Sequence, residues 1–322
     1  MLDKVLDKEG RKFWMGIAII WVYLFHLILF GHRDTGGGLP WTAFSYVFET
    51  GFIGVDIFLF LSAYGLCHSF NKNSVVRFYK NRIKRIFPLY IIFLVTVLAL
   101  YFDGLSLLEK AKIVALQSTG LSVIEAFGTN VEWYTPSLIV VYATFPLLYK
   151  LMNWLYRKNG ILLYATLFIV AIVCNKFGVV IYENFARRFV IIMVGVLTYF
   201  YLRDKRNKEL LLLYGLLVVF SFVVKDLSVK YSLCLPMALV GLNQLPISDM
   251  IMTAVSFIGK YSFEVYLAQI IATNYFLQGA YITNIYADIA SATLITATLA
   301  TAFAAAQRLA LRSLKPHARP LR

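Results

Sequence analysis

The hydrophobic positions of the chain form long, nearly unbroken runs that short polar segments separate. The first run, FWMGIAIIWVYLFHLILF at 13–30, is close to the roughly 20 apolar residues that cross a bilayer as a helix. Similar runs recur to the end of the chain and predict about ten membrane-spanning helices. We place them at 13–31, 52–70, 87–103, 135–150, 160–175, 188–202, 209–224, 231–245, 251–273 and 288–307. The pattern therefore predicts an all-α, polytopic membrane protein.

Composition supports this class of protein. The chain has 322 residues, of which 60% are hydrophobic and 15% charged, and its mean hydropathy is +0.71. A soluble domain has about 45–50% apolar and about 25% charged residues. Because no polar block is long enough for a second domain, we expect one domain over 1–322, with a short N-terminal segment (1–12) and a tail (308–322). The basic start resembles a signal peptide, but no Ala-x-Ala-like site follows, so we expect the first span to be retained.

The net charge of +14 follows the topology. Lys and Arg cluster in alternate segments between the spans, and an N-terminus inside the cell puts most of the 31 basic residues on the cytoplasmic side. We therefore expect both termini in the cytoplasm, membrane lipids as partners and no nucleic acid. Three cysteines in or beside apolar runs give no disulfide framework.

His26 is the one ionisable side chain inside the first run. Such a residue at membrane depth marks a functional site by default, although it could also serve as a hydrogen-bonding group between helices. Asp56 lies four residues inside the second span, and both residues are about 6 Å below the outer edge. An Asp56–His26 pair would fix the histidine tautomer. The alternative, that Asp56 caps its own helix N-terminus, stays open.

Arg82 and Arg85 lie three residues apart in RFYKNRIKRIFPLY and share a helix face. Pro88 would then fall in the first turn of the third span. Paired arginines bind phosphate oxygens in a forked geometry, although basic residues on an inner loop also arise from topology alone. Because His26 is about 20 Å from the inner end of its span, a ligand that touches both sites must be long, as an acyl-CoA is.

Two further polar residues have open interpretations. His68, beside the basic segment, could touch a phosphate or snorkel to the interface. Glu132 could meet an acceptor hydroxyl or be a solvated charge at the rim.

The amphipathic start of 104–134 could lie on the membrane or cap a cavity. No metal-ligand spacing recurs, so we predict no metal site.

Five segments together resemble a known family: RKFWMGIAIIWVYLFH, GVDIFLFLSAYG, FYKNRIKRIFPLY, WYTPSLIVVYATFPLLY and GKYSFEVYLAQ. Their order and spacing are similar to those of the acyltransferase-3 family of integral-membrane acyltransferases, over about residues 11 to 310. The resemblance implies about ten spans and transfer of an acetyl group from acetyl-CoA to a hydroxyl of a cell-surface or lipid-linked glycan.

The resemblance also implies roles for single residues. His26 matches the catalytic histidine, and Asp56 would orient it. Arg82 and Arg85 match the arginine pair near the acyl donor, Ser62 a polar position of the second-span motif, and Trp133 the aromatic residue that opens the fourth span. From the residues themselves we add His68 and Arg11 to the expected donor contacts and Glu132 to the expected substrate contacts, which also include Ser62, Trp133 and Tyr266. Ser262 and Tyr266 match a late serine–tyrosine motif.

Three positions depart from the family pattern. Met15 stands where an arginine is usual, and Arg11 or Lys12 could substitute for it. Ala63 replaces a frequent glycine. Gln269 replaces the histidine that usually ends the late motif, which removes a possible second base.

A transporter or flippase for a glycan or lipid is the rival interpretation. A polar residue in a span and an inner basic patch suit that class as well. Release of CoA thiol distinguishes the two, because a flippase releases none.

Overall fold

The computed structural model describes residues 5–31, 47–124, 131–158, 166–167, 169–170, 183–277 and 285–313. These residues form helices and connecting turns, with no strand among the described elements. The eleven longer helices in the described ranges are α1 (Lys8–Gly31), α2 (Ile53–Lys72), α3 (Val75–Tyr101), α4 (Leu107–Thr119), α5 (Tyr134–Lys158), α6 (Phe189–Arg203), α7 (Asn207–Ser221), α8 (Leu227–Leu242), α9 (Asp249–Lys260), α10 (Ser262–Ile270) and α11 (Ile285–Ser313).

Five helical stretches in the described residues are long and apolar enough to cross a membrane: Val47–Lys72, Val75–Tyr101, Tyr134–Lys158, Asn184–Arg203 and Ala287–Arg312. The all-helical membrane class is thus confirmed. The number of ten spans, the sides of the termini and the single-domain division stay predictions. Most of the predicted span 160–175 and most of residues 31–51 lie outside the described residues.

Two of the five stretches form the centre of the bundle. The stretches that contain α2 and α6 are 78% and 83% buried, whereas the other three are at most 39% buried and present apolar side chains outward. A Cβ atom added to Gly195 of α6 would lie 2.7 Å from the Phe60 carbonyl of α2. The two central helices therefore touch through their backbones, as small residues permit in membrane proteins.

The third predicted span begins earlier than the sequence indicated. Pro88 lies inside α3, a continuous helix of 27 residues, and not in a first turn. The helix starts at Val75 because the Ser74 hydroxyl caps it by accepting from the Arg77 amide at 3.3 Å. Arg82 and Arg85 consequently stand on the same rigid helix as the apolar residues of the span.

The predicted span 251–273 is interrupted. Helix α9 ends at Lys260, Tyr261 forms a turn, and α10 continues into a π-helical segment, Ile271–Leu277. The predicted spans 209–224 and 231–245 are the 15-residue α7 and the 16-residue α8. At 1.5 Å per residue these are about 23 Å long, which is shorter than the roughly 30 Å hydrocarbon core.

Helices α1 and α9 meet backbone to backbone at two glycines. A Cβ atom at Gly259 would overlap the carbonyl oxygen of Lys12 and come within 2.6 Å of the Gly16 nitrogen. The contact fixes α1, which carries His26, against the segment that leads into α10.

We expect Gly259→Leu to destabilise the protein by about 3 kcal/mol, at the upper end for overpacking, because backbone atoms cannot move aside as a flexible side chain does. Unfolding by SDS titration in mixed micelles measures the free energy. Gly241→Leu is the matched control, since no atom lies within 4 Å of a Cβ at Gly241. Equal losses in the two variants would contradict the tight α1–α9 contact.

Candidate active site

A cavity of about 210 Å³ lies among α1, α2, α3, α5 and α10. Five helices that are far apart in sequence contribute to its wall, and none of the lining residues is acidic. They are Arg11, Met15, Phe58, Leu61, Ser62, Gly65, Arg82, Arg85, Ile86, Tyr134, Leu138, Tyr142, Ser262, Phe263 and Tyr266. Five of the ten residues singled out from the sequence are in this set: Arg11, Ser62, Arg82, Arg85 and Tyr266.

Arg82 and Arg85 of α3 line the cavity together, as their spacing of three predicts. The Arg82 guanidinium donates to the Ser69 hydroxyl at 3.1 Å. It also lies 5.8 Å from the ring centres of Phe78 and Tyr142, within the range of cation–π contacts. The aromatic rings hold Arg82 in place while the cavity stays positively charged, which suits an anionic group.

Arg11 is the third arginine of the cavity and stands one helical turn before Met15. A Cβ atom at Gly65 would lie 3.1 Å from the Arg11 Nη1 atom, so the guanidinium reaches across α2 at the point where α2 has no side chain. Lys12 instead pairs with Glu9 at 2.7 Å. Of the two candidates for the role of the missing arginine, Arg11 is the one that reaches the cavity.

His26 lies outside this cavity, further along α1. Eleven residues separate it from Met15, which corresponds to about 16 Å of helix. Its Nδ1 atom is 3.0 Å from the Oε1 atom of Gln269. Because an amide oxygen only accepts, this contact needs a proton on Nδ1 and leaves Nε2 as the unprotonated nitrogen. A histidine in that tautomer can accept a proton or attack a carbonyl carbon through Nε2.

Helix α10 joins the cavity to His26. Ser262 and Tyr266 line the cavity, and Gln269, three residues beyond Tyr266, contacts His26. Three residues are about 4.5 Å of helical rise. The late motif therefore runs along one short helix from the arginines to the histidine, and the departure at Gln269 falls directly on His26.

Asp56 has a different partner from the one that the sequence predicted. Its Oδ1 atom is 3.1 Å from the Nε atom of Arg188, and the two side chains are 0% and 3% exposed. The predicted Asp56–His26 pair is thus replaced by two separate contacts, Asp56–Arg188 and His26–Gln269. Equal depth in the membrane does not make two side chains face each other, because the rotation of each helix about its axis also decides their direction. Asp56 lies in the first turn of α2, but it does not cap the helix as the alternative interpretation held, because the N-cap residue is Phe52 and no side chain accepts a capping hydrogen bond there.

Glu132 is buried, with 7% of its surface exposed, and is not the solvated rim charge that the sequence indicated. Its carboxylate accepts from the backbone amides of Tyr134 at 2.8 Å and Thr135 at 3.0 Å, and from the Tyr266 hydroxyl at 2.9 Å. Burial raises the pKa of Glu132, and the Thr135 amide and the Tyr266 hydroxyl oppose this shift. Glu132 therefore caps α5 and fixes Tyr266 at the cavity wall.

The remaining two predicted residues lie beside other groups. The ring of Trp133 is 5.3 Å from the Arg188 guanidinium. The His68 ring packs edge-on against Tyr64 at 4.9 Å and Tyr199 at 4.8 Å, and His68 is not in the lining of the arginine cavity. Neither residue lines the arginine cavity, and Trp133 lies at Arg188 instead.

The sequence did not indicate two partners in the site: Arg188, which pairs with Asp56, and Gln269, which contacts His26. The sequence placed Arg188 at the start of the predicted span 188–202 and gave it no partner. The available signal was its position directly before FVIIMVGVL, an apolar run whose residues are nearly all buried. A charge at the start of such a run needs a buried partner.

Within the described residues, no group of three or more His, Cys, Asp or Glu side chains is placed to hold a metal ion.

The helices and the cavity define a class of protein: an integral membrane protein with an arginine-lined cavity that a short helix joins to a histidine. The family model described as "Acyltransferase domain", that of acyltransferase family 3, matches residues 15–307, and the chain belongs to this family. No significant match is found among curated proteins or among solved structures. The resemblance noted in the sequence is confirmed, and with it a membrane acyltransferase as the general class of enzyme.

Proposed function

We propose that the protein is an O-acyltransferase of a bacterial-type inner membrane. It moves an acetyl or similar short acyl group from acyl-CoA on the cytoplasmic side to a hydroxyl of a cell-surface or lipid-linked glycan. The observation that carries the proposal is that one short helix, α10, contacts both the cavity with three arginines and His26, in a chain of the acyltransferase family.

The donor binds at the arginines. Guanidinium groups bind phosphate oxygens in pairs, and Arg11, Arg82 and Arg85 offer three. A cavity of about 210 Å³ is smaller than the roughly 300–1,000 Å³ of pockets that enclose a drug-sized ligand. It therefore takes only part of an acyl-CoA, and the nucleotide end stays outside the cavity. The acyl arm extends along α10, past Ser62 and Tyr266, towards His26.

His26 acts through Nε2, and acyl transfer can follow either of two balanced reaction routes. As a base, it takes the proton of the acceptor hydroxyl while the oxygen attacks the thioester carbonyl; the C–S bond breaks, and the CoA sulfur receives the proton. As a carrier, Nε2 attacks the thioester carbonyl, the C–S bond breaks and CoA leaves as a thiolate. The acceptor oxygen then attacks the acyl group, the acyl–nitrogen bond breaks, and the acceptor loses its proton to solvent while the CoA sulfur takes one from solvent. In both routes, the products are the O-acyl glycan and CoA thiol.

The other predicted residues have supporting roles. Gln269 orients His26, and Glu132 positions Tyr266. Asp56 and Arg188 hold α2 and α6 together and place Trp133 at the start of α5. The acceptor approaches His26 from the end of α1 that is opposite to Arg11.

The test is release of CoA thiol by purified protein in lipid, with acetyl-CoA and a cell-surface glycan fraction. Loss of one charged contact costs about 1.5–3 kcal/mol, so Arg85→Gln should raise the KM for acetyl-CoA by about 10- to 150-fold. Arg77→Gln is the matched control, because Arg77 is an exposed arginine of the same helix outside the cavity.

An acceptor-independent measurement accompanies the activity assay. Acetyl-CoA should raise the unfolding temperature of wild type and of Arg77→Gln, and much less that of Arg85→Gln. Absence of stabilisation of wild type at millimolar acetyl-CoA would overturn the donor assignment. Stabilisation without thiol release from any glycan would favour a transporter that acyl-CoA regulates.

Arg11 should have the role of the arginine that is usual in the family at the position of Met15. We expect Arg11→Met to raise the KM for acetyl-CoA by about tenfold or more, because the cavity loses one of its three cations. Met15→Arg added to that variant returns a guanidinium to the same wall and should restore most of the affinity. Lys12→Met serves as the control and should change the KM less than about twofold, since Lys12 pairs with Glu9. A swap that leaves the KM as high as in Arg11→Met would contradict the shared position.

A further inference from the structure

A second cavity, of about 540 Å³, lies against the end of α5 and the end of α2. Its seven lining residues combine basic, amide and aromatic side chains, and none of them is acidic. They are Phe70, Tyr149, Lys150, Asn153, Trp154, Arg157 and Lys158. The volume is in the range of pockets that hold a small molecule.

The polar lining forms one helix face. Lys150, Asn153, Trp154, Arg157 and Lys158 follow one another at spacings of three, one, three and one residues, which places them on neighbouring positions of α5. A loop cluster of basic residues would need no such order. The regular spacing gives the three cations a fixed arrangement around a single space.

The three cations have no carboxylate partner among the described residues. Lys150, Arg157 and Lys158 are exposed and form no salt bridge there. Asp204, whose charge interacts with that of Arg157, is bound by the Arg203 guanidinium at 2.8 and 3.1 Å. The cavity therefore keeps a net positive charge and suits a phosphate group.

Asn153 adds an acceptor. Its Oδ1 atom is buried and has no hydrogen-bond partner in the part of the chain that the structure describes. Buried acceptors are normally satisfied, because leaving one unpaired costs about 1–3 kcal/mol. A hydroxyl donor next to the phosphate would satisfy this oxygen.

The cavity opens beside the lipid-facing flank of the bundle. Leu147 precedes all three basic residues on α5, and Leu151 lies between Lys150 and Arg157. The two leucines are 72% and 50% exposed, and Trp154 is 52% exposed. Helix α5 is long and apolar enough to span the membrane. Tryptophan is enriched at the membrane–water interface, and Lys and Arg side chains extend there towards water. The order from Leu147 and Leu151 through Trp154 to Arg157 and Lys158 matches the order of acyl chain and headgroup along a lipid, and Lys150 stands beside Leu151.

We propose that this cavity binds the headgroup of an anionic phospholipid that carries free hydroxyl groups, such as a glycerol headgroup. The phosphate contacts Lys150, Arg157 and Lys158, a headgroup hydroxyl donates to Asn153 Oδ1, and the acyl chains lie along Leu147 and Leu151. Phe70 and Tyr149 form the floor. This site is separate from the arginine cavity and does not depend on the enzymatic reaction.

The experiment measures thermal unfolding of the full chain in a neutral detergent with phosphatidylglycerol, phosphatidic acid, phosphatidylcholine or inorganic phosphate. A ligand that binds only the folded state raises the unfolding temperature as its concentration passes its Kd. We expect phosphatidylglycerol to be effective, phosphatidylcholine and inorganic phosphate to have little effect, and phosphatidic acid, which lacks the headgroup hydroxyls, to be intermediate.

A charge-matched pair of triple variants locates the site. Lys150→Gln with Arg157→Gln and Lys158→Gln should raise the apparent Kd for phosphatidylglycerol at least tenfold. The control exchanges Lys72, Arg77 and Lys80 for glutamine; these exposed residues carry the same three charges outside the cavity, and the Kd should change less than twofold. Equal losses in both triples would overturn the site in favour of general surface charge.

Three further outcomes decide the ligand. Asn153→Leu, which keeps every charge and nearly the volume, should remove the preference for phosphatidylglycerol over phosphatidic acid, and an unchanged preference would overturn the headgroup assignment. Stabilisation by inorganic phosphate equal to that by lipid would show a free-anion site instead. A raised KM for acetyl-CoA in the cavity triple, with lipid binding intact, would assign the cavity to the nucleotide end of the donor.

Discussion

Replacing His26 with alanine is expected to lower kcat for acyl transfer by about 10²–10⁴-fold, because that is the typical contribution of a positioned base. The KM for acetyl-CoA should change little, since the arginine cavity is about 16 Å away along α1. Thiol release at saturating acetyl-CoA measures the effect. Tyr23→Phe is the control: Tyr23 lies on the same helix and contacts Thr293 at 2.8 Å, outside the path from the arginines to His26.

The same variant tests the chemical route. If His26 carries the acyl group, wild type should release close to one equivalent of thiol per protein without acceptor, and His26→Ala none. If His26 is only a base, neither protein should release thiol without acceptor. Full activity of a folded His26→Ala variant would contradict the assignment of His26 to either role.

Gln269 positions His26 and should have a smaller effect of its own. One hydrogen bond between neutral groups contributes about 0.5–1.5 kcal/mol, so Gln269→Ala should lower kcat by up to about tenfold at an unchanged KM. Gln269→Glu keeps an acceptor oxygen near Nδ1 and should recover activity that the alanine variant loses. A residue that merely fills space would show no such recovery.

The sequence predicted the helices well where the physical signal is local. Apolar runs of sufficient length identify spans, and Arg82 and Arg85 share the cavity because a spacing of three residues fixes a shared face. Pro88 misled the prediction of the start of α3, since proline is common in first turns but here lies within a helix that its neighbours stabilise.

The contacts of the site were less predictable, because they join residues far apart in the chain. Helical rise places His26 and Asp56 at similar predicted depths, but it contains no information on helix rotation. His26 instead contacts Gln269, 243 residues away, and Asp56 pairs with Arg188. Glu132 looked like a loop charge because its burial arises only when α5 and α10 come together around it.

The Asp56–Arg188 pair should dominate the stability of the centre of the bundle. Removing one partner of a buried ion pair leaves an uncompensated charge and typically costs about 3–5 kcal/mol. We therefore expect Asp56→Leu and Arg188→Met to lower the free energy of unfolding each by that amount. SDS titration in mixed micelles provides the measurement.

The double variant separates structure from chemistry. Replacing a buried ion pair by apolar residues of similar volume is often neutral or stabilising, so Asp56→Leu with Arg188→Met should be more stable than either single variant. If the pair only holds α2 and α6 together, the double variant should also regain thiol release; if it stays inactive while folded, Asp56 has the chemical role that the sequence first indicated.

Arg187→Met is the matched control for the Asp56 and Arg188 variants, because Arg187 neighbours Arg188 and pairs with Asp226 at the same distance of 3.1 Å. Its side chain is 27% exposed and that of Asp226 is 12% exposed, so this pair is less buried than Asp56–Arg188. Because the energy of an ion pair falls as its exposure rises, we expect a smaller loss than at Arg188. A loss at Arg187 as large as that at Arg188 would show that burial does not set the energy of these two pairs, and the structural role given to Asp56 would fall with it.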